Sequence, residues 1–276
     1  MPYDASFAGL TKPGTGPVLD PAPFKGNEDA VCADLARLVY FDFDNRRADL
    51  EEALGRHGLR LAKTFHKRWL FVDSEVLIAT AADGTAYVIF RGTQDVWDLL
   101  TDLAALPARW IGGGWVHWGF RKGWNLLAGE IASWLADNRP RRIVTSGHSL
   151  GAALATLFAA SAPAAELVTF GCPLVGSAKF VALFAGRSVR RYRHCCDLVS
   201  RIPPDWLIYR QLGGLRYVDR TGTLHQDLDR AAIKADMAEG ARAFHRARLG
   251  GVPVRNLADH APLNYVWALT GELTPL

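Results

Sequence analysis

The sequence predicts an α/β fold, a mostly parallel central sheet with helices on both faces. Three observations predict it. Between about residues 75 and 197, short apolar, β-branched runs alternate with helical stretches, as strands do when they return in parallel through crossover helices. The pentapeptide Gly147-His148-Ser149-Leu150-Gly151 stands where an apolar strand pattern gives way to an apolar helix pattern. The chain of 276 residues, 49% of them hydrophobic, is long enough for one large core.

In chain order, residues 1–27 carry scattered Gly and Pro and read as an irregular N-terminal arm laid over a single domain spanning 28–276. EDAVCADLARLVYF and RADLEEALGRHG have helical periodicity with charges on one face. EVLIAT and AYVIFRG are strands, and Asp83-Gly84 between them signals a hairpin. DVWDLLTDLAAL reads as a short amphipathic helix, followed by the Trp- and Gly-rich PARWIGGGWVHWGF. RKGWNLLAGEIASWLADN is a long helix stopped near Asn138 and Pro140. Then RRIVTSG is a strand, SLGAALATLFAASA a helix, AELVTFG a strand, SAKFVALFAG a helix and SVRRYRHCCD a strand.

Composition excludes several classes. A net charge of +4 is only mildly basic, and no nucleic-acid module is present. Basic groups at 190–193 and 242–248 read as solvated faces rather than as sites for anionic lipid. The uncharged stretch Ile143 to Ala165 is long enough to span a bilayer, but Gly147 to Gly151 would break the helix, so no transmembrane segment is expected. Cys32, Cys172, Cys195 and Cys196 show no metal-ligand spacing and read as buried thiols; no metal or cofactor is expected. No signal peptide is visible, which favours a soluble, cytoplasmic protein, with signal-less export left open.

The pentapeptide fits G-x-S-x-G, a turn so tight that the serine is strained and projects above the sheet. Ser149 is the candidate nucleophile, and the Leu150 N–H at the helix start faces a developing oxyanion. A serine hydroxyl needs a histidine to take its proton and a carboxylate to orient that histidine. The downstream histidines are His194, inside a strand; His225, in a turn; His245, on an amphipathic helix; and His260, in a loop before an apolar helix. Asp197 ends the strand SVRRYRHCCD, whereas Asp205, Asp219, Asp227 and Asp229 sit in turns or on helix faces. Asp197 and His260 are therefore the expected acid and base. His148 and His117 read as packing residues.

These motifs together resemble the class 3 (fungal-type) lipase family of α/β-hydrolases, from about residue 75 to 270. VIFRGT resembles the strand ending in the family's oxyanion residue, VHWGF its V-H-x-G-F segment, and GHSLGAALA its nucleophile elbow. TFGCPLVG is similar to T-F-G-x-P-R-V-G, RHCCDLVSRIPP to the acid-bearing segment, and LADHAPLNYV to the histidine segment. The resemblance implies the same triad and adds Thr93, whose backbone N–H and hydroxyl would join Leu150 in the oxyanion hole. It further implies a lid helix over about 94–103, whose Val96, Trp97, Leu99, Leu100 and Leu103 would close over the site or face lipid. Leu174 stands where the family has arginine, so an ion pair is lost. The implied activity is hydrolysis of a carboxylic ester, most simply of a lipid. Phospholipase A1, feruloyl-type esterase and acyltransferase activities would use the same residues, and a non-catalytic binding module on this fold is the reading from another class.

Overall fold

A computed structural model describes residues 3–69, 72–92, 106–204, 207–247 and 251–274. The first part holds helices α1 (Phe7–Thr11), α2 (Glu28–Leu38) and α3 (Arg47–Arg56), then strands β1 (Leu59–Trp69), β2 (Val72–Ala81) and β3 (Thr85–Phe90). After β4 (Pro107–Arg109) and β5 (Trp115–His117) come α4 (Trp118–Asn138), β6 (Arg142–His148), α5 (Leu150–Ser161) and β7 (Glu166–Phe170). They are followed by β8 (Gly176–Ser177), α6 (Ala178–Val181), β9 (Val189–His194), β10 (Tyr209–Arg210), β11 (Leu215–Val218) and β12 (Leu224–His225). Helices α7 (Arg230–Ala247), α8 (Arg255–Ala258) and α9 (Pro262–Thr270) complete the described chain.

The main sheet has eight strands in the order β1-β2-β3-β6-β7-β9-β11-β12. The pairings from β3 through β11 are parallel, and the two edges are antiparallel. Alternation along the strands divides the core in two. Val76, Ile78, Val88 and Phe90 point to the face covered by α4 and α5. Leu77, Ala79, Tyr87 and Ile89 point to the face covered by α2, α3 and α9. A strand buried on both faces must be apolar at every position, and β3 is buried throughout. A smaller sheet, β10-β8-β5-β4, holds the Trp-rich segment.

Two local expectations change. SAKFVALFAG makes only the single turn α6 before a 3-10 turn. Strand β1 was not expected, because LRLAKTFHKRW is rich in Lys and Arg; it is an edge strand, where charge blocks further pairing. The arm contributes α1 and two 3-10 turns, and its Ala5, Leu10, Leu19 and Phe24 are buried in the two cores. The expected lid segment, with Val96, Trp97, Leu99, Leu100 and Leu103, lies outside the described residues, as do Thr93 and Asp205.

An ion cluster closes the end of the parallel strands where β6, β7 and β9 begin. Arg142 holds both Glu28 oxygens, at 2.5 and 2.9 Å, and both Glu166 oxygens, at 2.6 and 2.8 Å. Arg190 reaches Glu28 at 3.1 Å and Asp29 at 2.9 Å, and Arg191 is buried and donates to the Leu212 carbonyl at 3.1 Å, so the group at 190–193 is not the solvated face expected. The Arg142 hydrogen bonds hold the Glu28 carboxyl at about 2, below its usual 4.5, against an opposing push from burial. A carboxyl depressed on folding contributes stability that is fully present above about pH 4.5 and is lost as pH falls towards 2. Replacing Glu28 with Gln should cost about 1 kcal/mol at pH 7, a figure already reduced for solvent screening at this partly exposed site. Urea midpoints measured from pH 6 to 3 should show the wild type converging on the variant; a constant gap would contradict the assignment.

Candidate active site

Strand β6 ends at His148 and α5 begins at Leu150, leaving Ser149 to make the turn with φ 59° and ψ −128°. This is left-handed backbone on a residue with a Cβ, a conformation that persists only when its surroundings hold it. They do: the Ser149 N–H donates to the Phe170 carbonyl at 3.0 Å, and the Ser149 carbonyl accepts from Ala152 N at 3.0 Å. The turn also needs close approach of α5 to the sheet. A Cβ on Gly151 would lie 2.1 Å from the Phe90 carbonyl oxygen, so only glycine fits. Leu150, at the first position of α5, has no acceptor for its N–H within the helix. Ser149 is buried, and its Oγ has no hydrogen-bond partner among the described residues.

Asp197 follows β9 and His260 lies between α8 and α9, and the structure brings them together. The His260 Nδ1 is 3.0 Å from each Asp197 oxygen, and both residues are fully buried. An ionised carboxylate only accepts, so Nδ1 carries the proton and Nε2 is left with a free lone pair. That Nε2 has no partner among the described residues. Two further donors hold Asp197: Tyr265 OH at 2.5 Å from Oδ2 and Val199 N–H at 2.9 Å from Oδ1. Burial, the largest influence, works to raise the pKa of Asp197. The facing His260 and the hydrogen bonds from His260 and Tyr265 outweigh it and keep the carboxyl below its ordinary value.

His148 packs under this pair. Its ring lies 4.4 Å from that of His260, and its Nε2 donates to the His260 carbonyl at 2.7 Å, leaving Nδ1 to face Tyr40 OH at 3.3 Å. Burial, then the nearby His260, lowers it to about 3, so it stays neutral. His117 is also buried, packs on Phe120 at 4.3 Å and is lowered to about 4 by burial. Both match the packing roles read from sequence.

The remaining candidates have other surroundings. His194 is buried in β9, 3.7 Å from Asp259. His225 pairs with Asp219 at 2.8 Å, and His245 is exposed on α7. Asp229 accepts the N–H groups of Ala231 and Ala232 at the start of α7, both at 2.8 Å. Leu174, in the place of an arginine, is buried and donates its N–H to the Ile202 carbonyl at 2.8 Å. All four cysteines are free and buried.

Three features were not read from sequence. Tyr265, one helical turn into α9, also accepts the His194 N–H at 3.1 Å, joining β9 to the histidine loop. Asp259, beside His260, receives Arg255 Nε at 3.0 Å, Tyr3 OH at 2.6 Å and Cys196 N–H at 2.8 Å. Two successive residues, 196 and 197, are thus joined to two successive residues, 259 and 260. Gly171, at φ 57°, leaves the space this pair occupies. The only sequence signal for any of them was their position within the quoted motifs.

A mostly parallel sheet, a serine at a left-handed strand-to-helix turn and an acid–histidine pair on later loops define an α/β-hydrolase fold. The Rhizomucor miehei lipase propeptide complex superposes with a TM-score of 0.60 at 22% identity, over 70% of this chain and 68% of that one. A lipase from Rhizopus microsporus var. chinensis also gives 0.60 at 22% identity, over 75% and 80%. Residues 87–206 match the family described as Lipase (class 3).

Among curated relatives, "Toxin TseL" of Vibrio cholerae is 32% identical over 49% of this chain and 23% of its own length. "Secreted mono- and diacylglycerol lipase 1" of Fusarium solani is 32% identical over 45% of this chain and 40% of its own. "Secreted mono- and diacylglycerol lipase A" of Penicillium cyclopium is 30% identical over 48% and 47%. The chain thus spans less than half the length of these curated relatives. The fungal relatives are named as secreted, so the expected cytoplasmic address finds no support in them. Among the described residues no helix is long and apolar enough to cross a membrane.

Proposed function

We propose that the chain is a carboxylic ester hydrolase that cleaves acyl esters of lipids through an acyl-enzyme on Ser149. The observation that carries this reading is the bidentate Asp197–His260 contact, which leaves His260 Nε2 and Ser149 Oγ as buried atoms without partners among the described residues. A buried hydroxyl and a buried imidazole nitrogen are each costly without a hydrogen bond, which suits groups reserved for a reacting substrate. Ser149 Oγ attacks the acyl carbon while His260 Nε2 takes its proton. Asp197 stabilises the imidazolium, which then protonates the leaving alcohol. Water, deprotonated by the same nitrogen, releases the free acid and restores the hydroxyl.

The Leu150 N–H holds the oxyanion, and the family resemblance supplies Thr93 as its partner. Loss of one such donor typically costs about 3 kcal/mol. The mono- and diacylglycerol lipases among the relatives support an acylglycerol substrate. A fluorophosphonate should label the purified chain once, on Ser149, as read by peptide mass spectrometry. His260→Ala should abolish labelling. A probe that reacts equally with Ser149→Ala would refute the reading.

A further inference from the structure

Outside the Ser149, Asp197 and His260 group, the β4–β5 hairpin gathers features that ester hydrolysis does not use. Between Asp102 and Glu130 the sequence contains no acidic residue, yet it holds Arg109, Arg121 and Lys122 and four of the nine tryptophans. The hairpin turns apolar groups outward: Leu106 is 62% exposed, Ile111 104%, Trp115 40% and Trp118 45%. Elsewhere among the described residues the exposed large apolar side chains are Phe7, Ile208, Leu224 and Val254, far apart in sequence.

Backbone pairing draws the hairpin residues close together. The Trp118 N–H donates to the Leu106 carbonyl at 2.8 Å, and Arg109 pairs across the strands with Trp115. The tip that carries Ile111 is closed by Gly113 N–H to the Trp110 carbonyl at 3.0 Å and Trp110 N–H to the Gly114 carbonyl at 3.1 Å. It is held rigidly, because the Trp110 ring packs edge-on against Phe180 at 5.8 Å. Beside the tip is a cleft of about 340 Å³ lined by Arg109, Trp110, Ile111, Arg121 and Trp124. Arg109 lies 5.2 Å over the Trp115 ring, and Lys122 lies 5.4 Å over Trp118.

We propose that this hairpin docks the protein on an anionic lipid bilayer. Tryptophans with one apolar side and one polar edge settle at the headgroup level, and a fully exposed isoleucine at a rigid tip can enter the acyl boundary. Arginines among the rings, with no neighbouring acid in sequence, complement anionic headgroups. Arg190, by contrast, is paired with Glu28 and Asp29 and offers no such surface. Docking does not depend on the hydrolase reading, although it would bring a lipid ester to the same protein.

The test is flotation of the full chain carrying Ser149→Ala with vesicles of phosphatidylcholine alone or with added phosphatidylglycerol. Vesicles with phosphatidylglycerol should bind at least about tenfold more tightly, and added salt should erase the difference. Arg109→Gln with Arg121→Gln should weaken that preference by about fivefold per arginine. Ile111→Ser with Trp115→Ser should reduce binding to both vesicles by about tenfold. Equal binding to both vesicle types, or unchanged flotation of the variant lacking the Ile111 and Trp115 side chains, would overturn the proposal. So would self-association through this face that leaves vesicles unbound. The same substitutions in the chain that keeps Ser149 should leave turnover of a short water-soluble ester unchanged, which also reports correct folding. If that ester is never turned over while vesicles still bind, the hydrolase reading fails and docking stands.

Discussion

Replacing Ser149 with Ala should lower kcat for a p-nitrophenyl ester by about five to six orders of magnitude and leave KM nearly unchanged. The magnitude follows from the proposed mechanism, in which the three residues work as a unit. Without the hydroxyl, His260 has no proton to accept, and only the oxyanion donors and substrate binding continue to act. His260→Ala should cost a similar amount, and the double variant little more. Additive losses would mean that the two side chains act in separate steps. The Ser149→Ala variant should melt no lower than the wild type, because the Ser149 hydroxyl makes no hydrogen bond among the described residues. Turnover in the purified variant above about one part in a thousand would remove Ser149 from the mechanism.

The second large effect is expected at a residue that carries no chemistry. A Cβ on Gly171 would stand 2.7 Å from Asp197 Oδ2 and 2.9 Å from His260 Nδ1 and Cε1. Both neighbours are fully buried and held by several hydrogen bonds, so neither can yield without breaking the contact between them. The backbone at φ 57° adds strain for any side chain. Gly171→Ala should reduce kcat by about a hundredfold or more, since a displacement near 1 Å is enough for that, with a destabilisation of about 2–4 kcal/mol. The two readouts are kcat at a temperature where the variant is folded and the urea midpoint. An alanine variant with full activity would show that His260 and Asp197 do not work in the arrangement described.

Much of this architecture could be read from residue patterns. Strands β2, β3, β6 and β7 are short apolar runs bounded by turn residues, and the parallel order follows from the helices between them. The contact of Asp197 with His260 was legible because each lies at the end of an element, in the order that such folds use. Strand β1 was not legible, because an edge strand needs apolar residues on one side only and carries Lys and Arg on the other. The Tyr3–Asp259–Arg255 network was hidden for a different reason. It joins residues 256 apart in the chain, and no local pattern marks a tyrosine as the partner of a distant carboxylate. The exposed tryptophans show the same limit, since a Trp-rich segment reads alike whether its rings face the core or the solvent.

The left-handed turn at Ser149 sets two kinds of fitness against each other. A residue with a Cβ there carries a cost of about 1–2 kcal/mol that glycine would not. The backbone, taken alone, is therefore better served by losing the side chain on which the proposed chemistry depends. Any process that rewards only robustness, whether drift in an unused copy or laboratory screening by melting temperature, is drawn towards an inert protein at this position. A serine kept there is what continued demand for the proposed chemistry would leave.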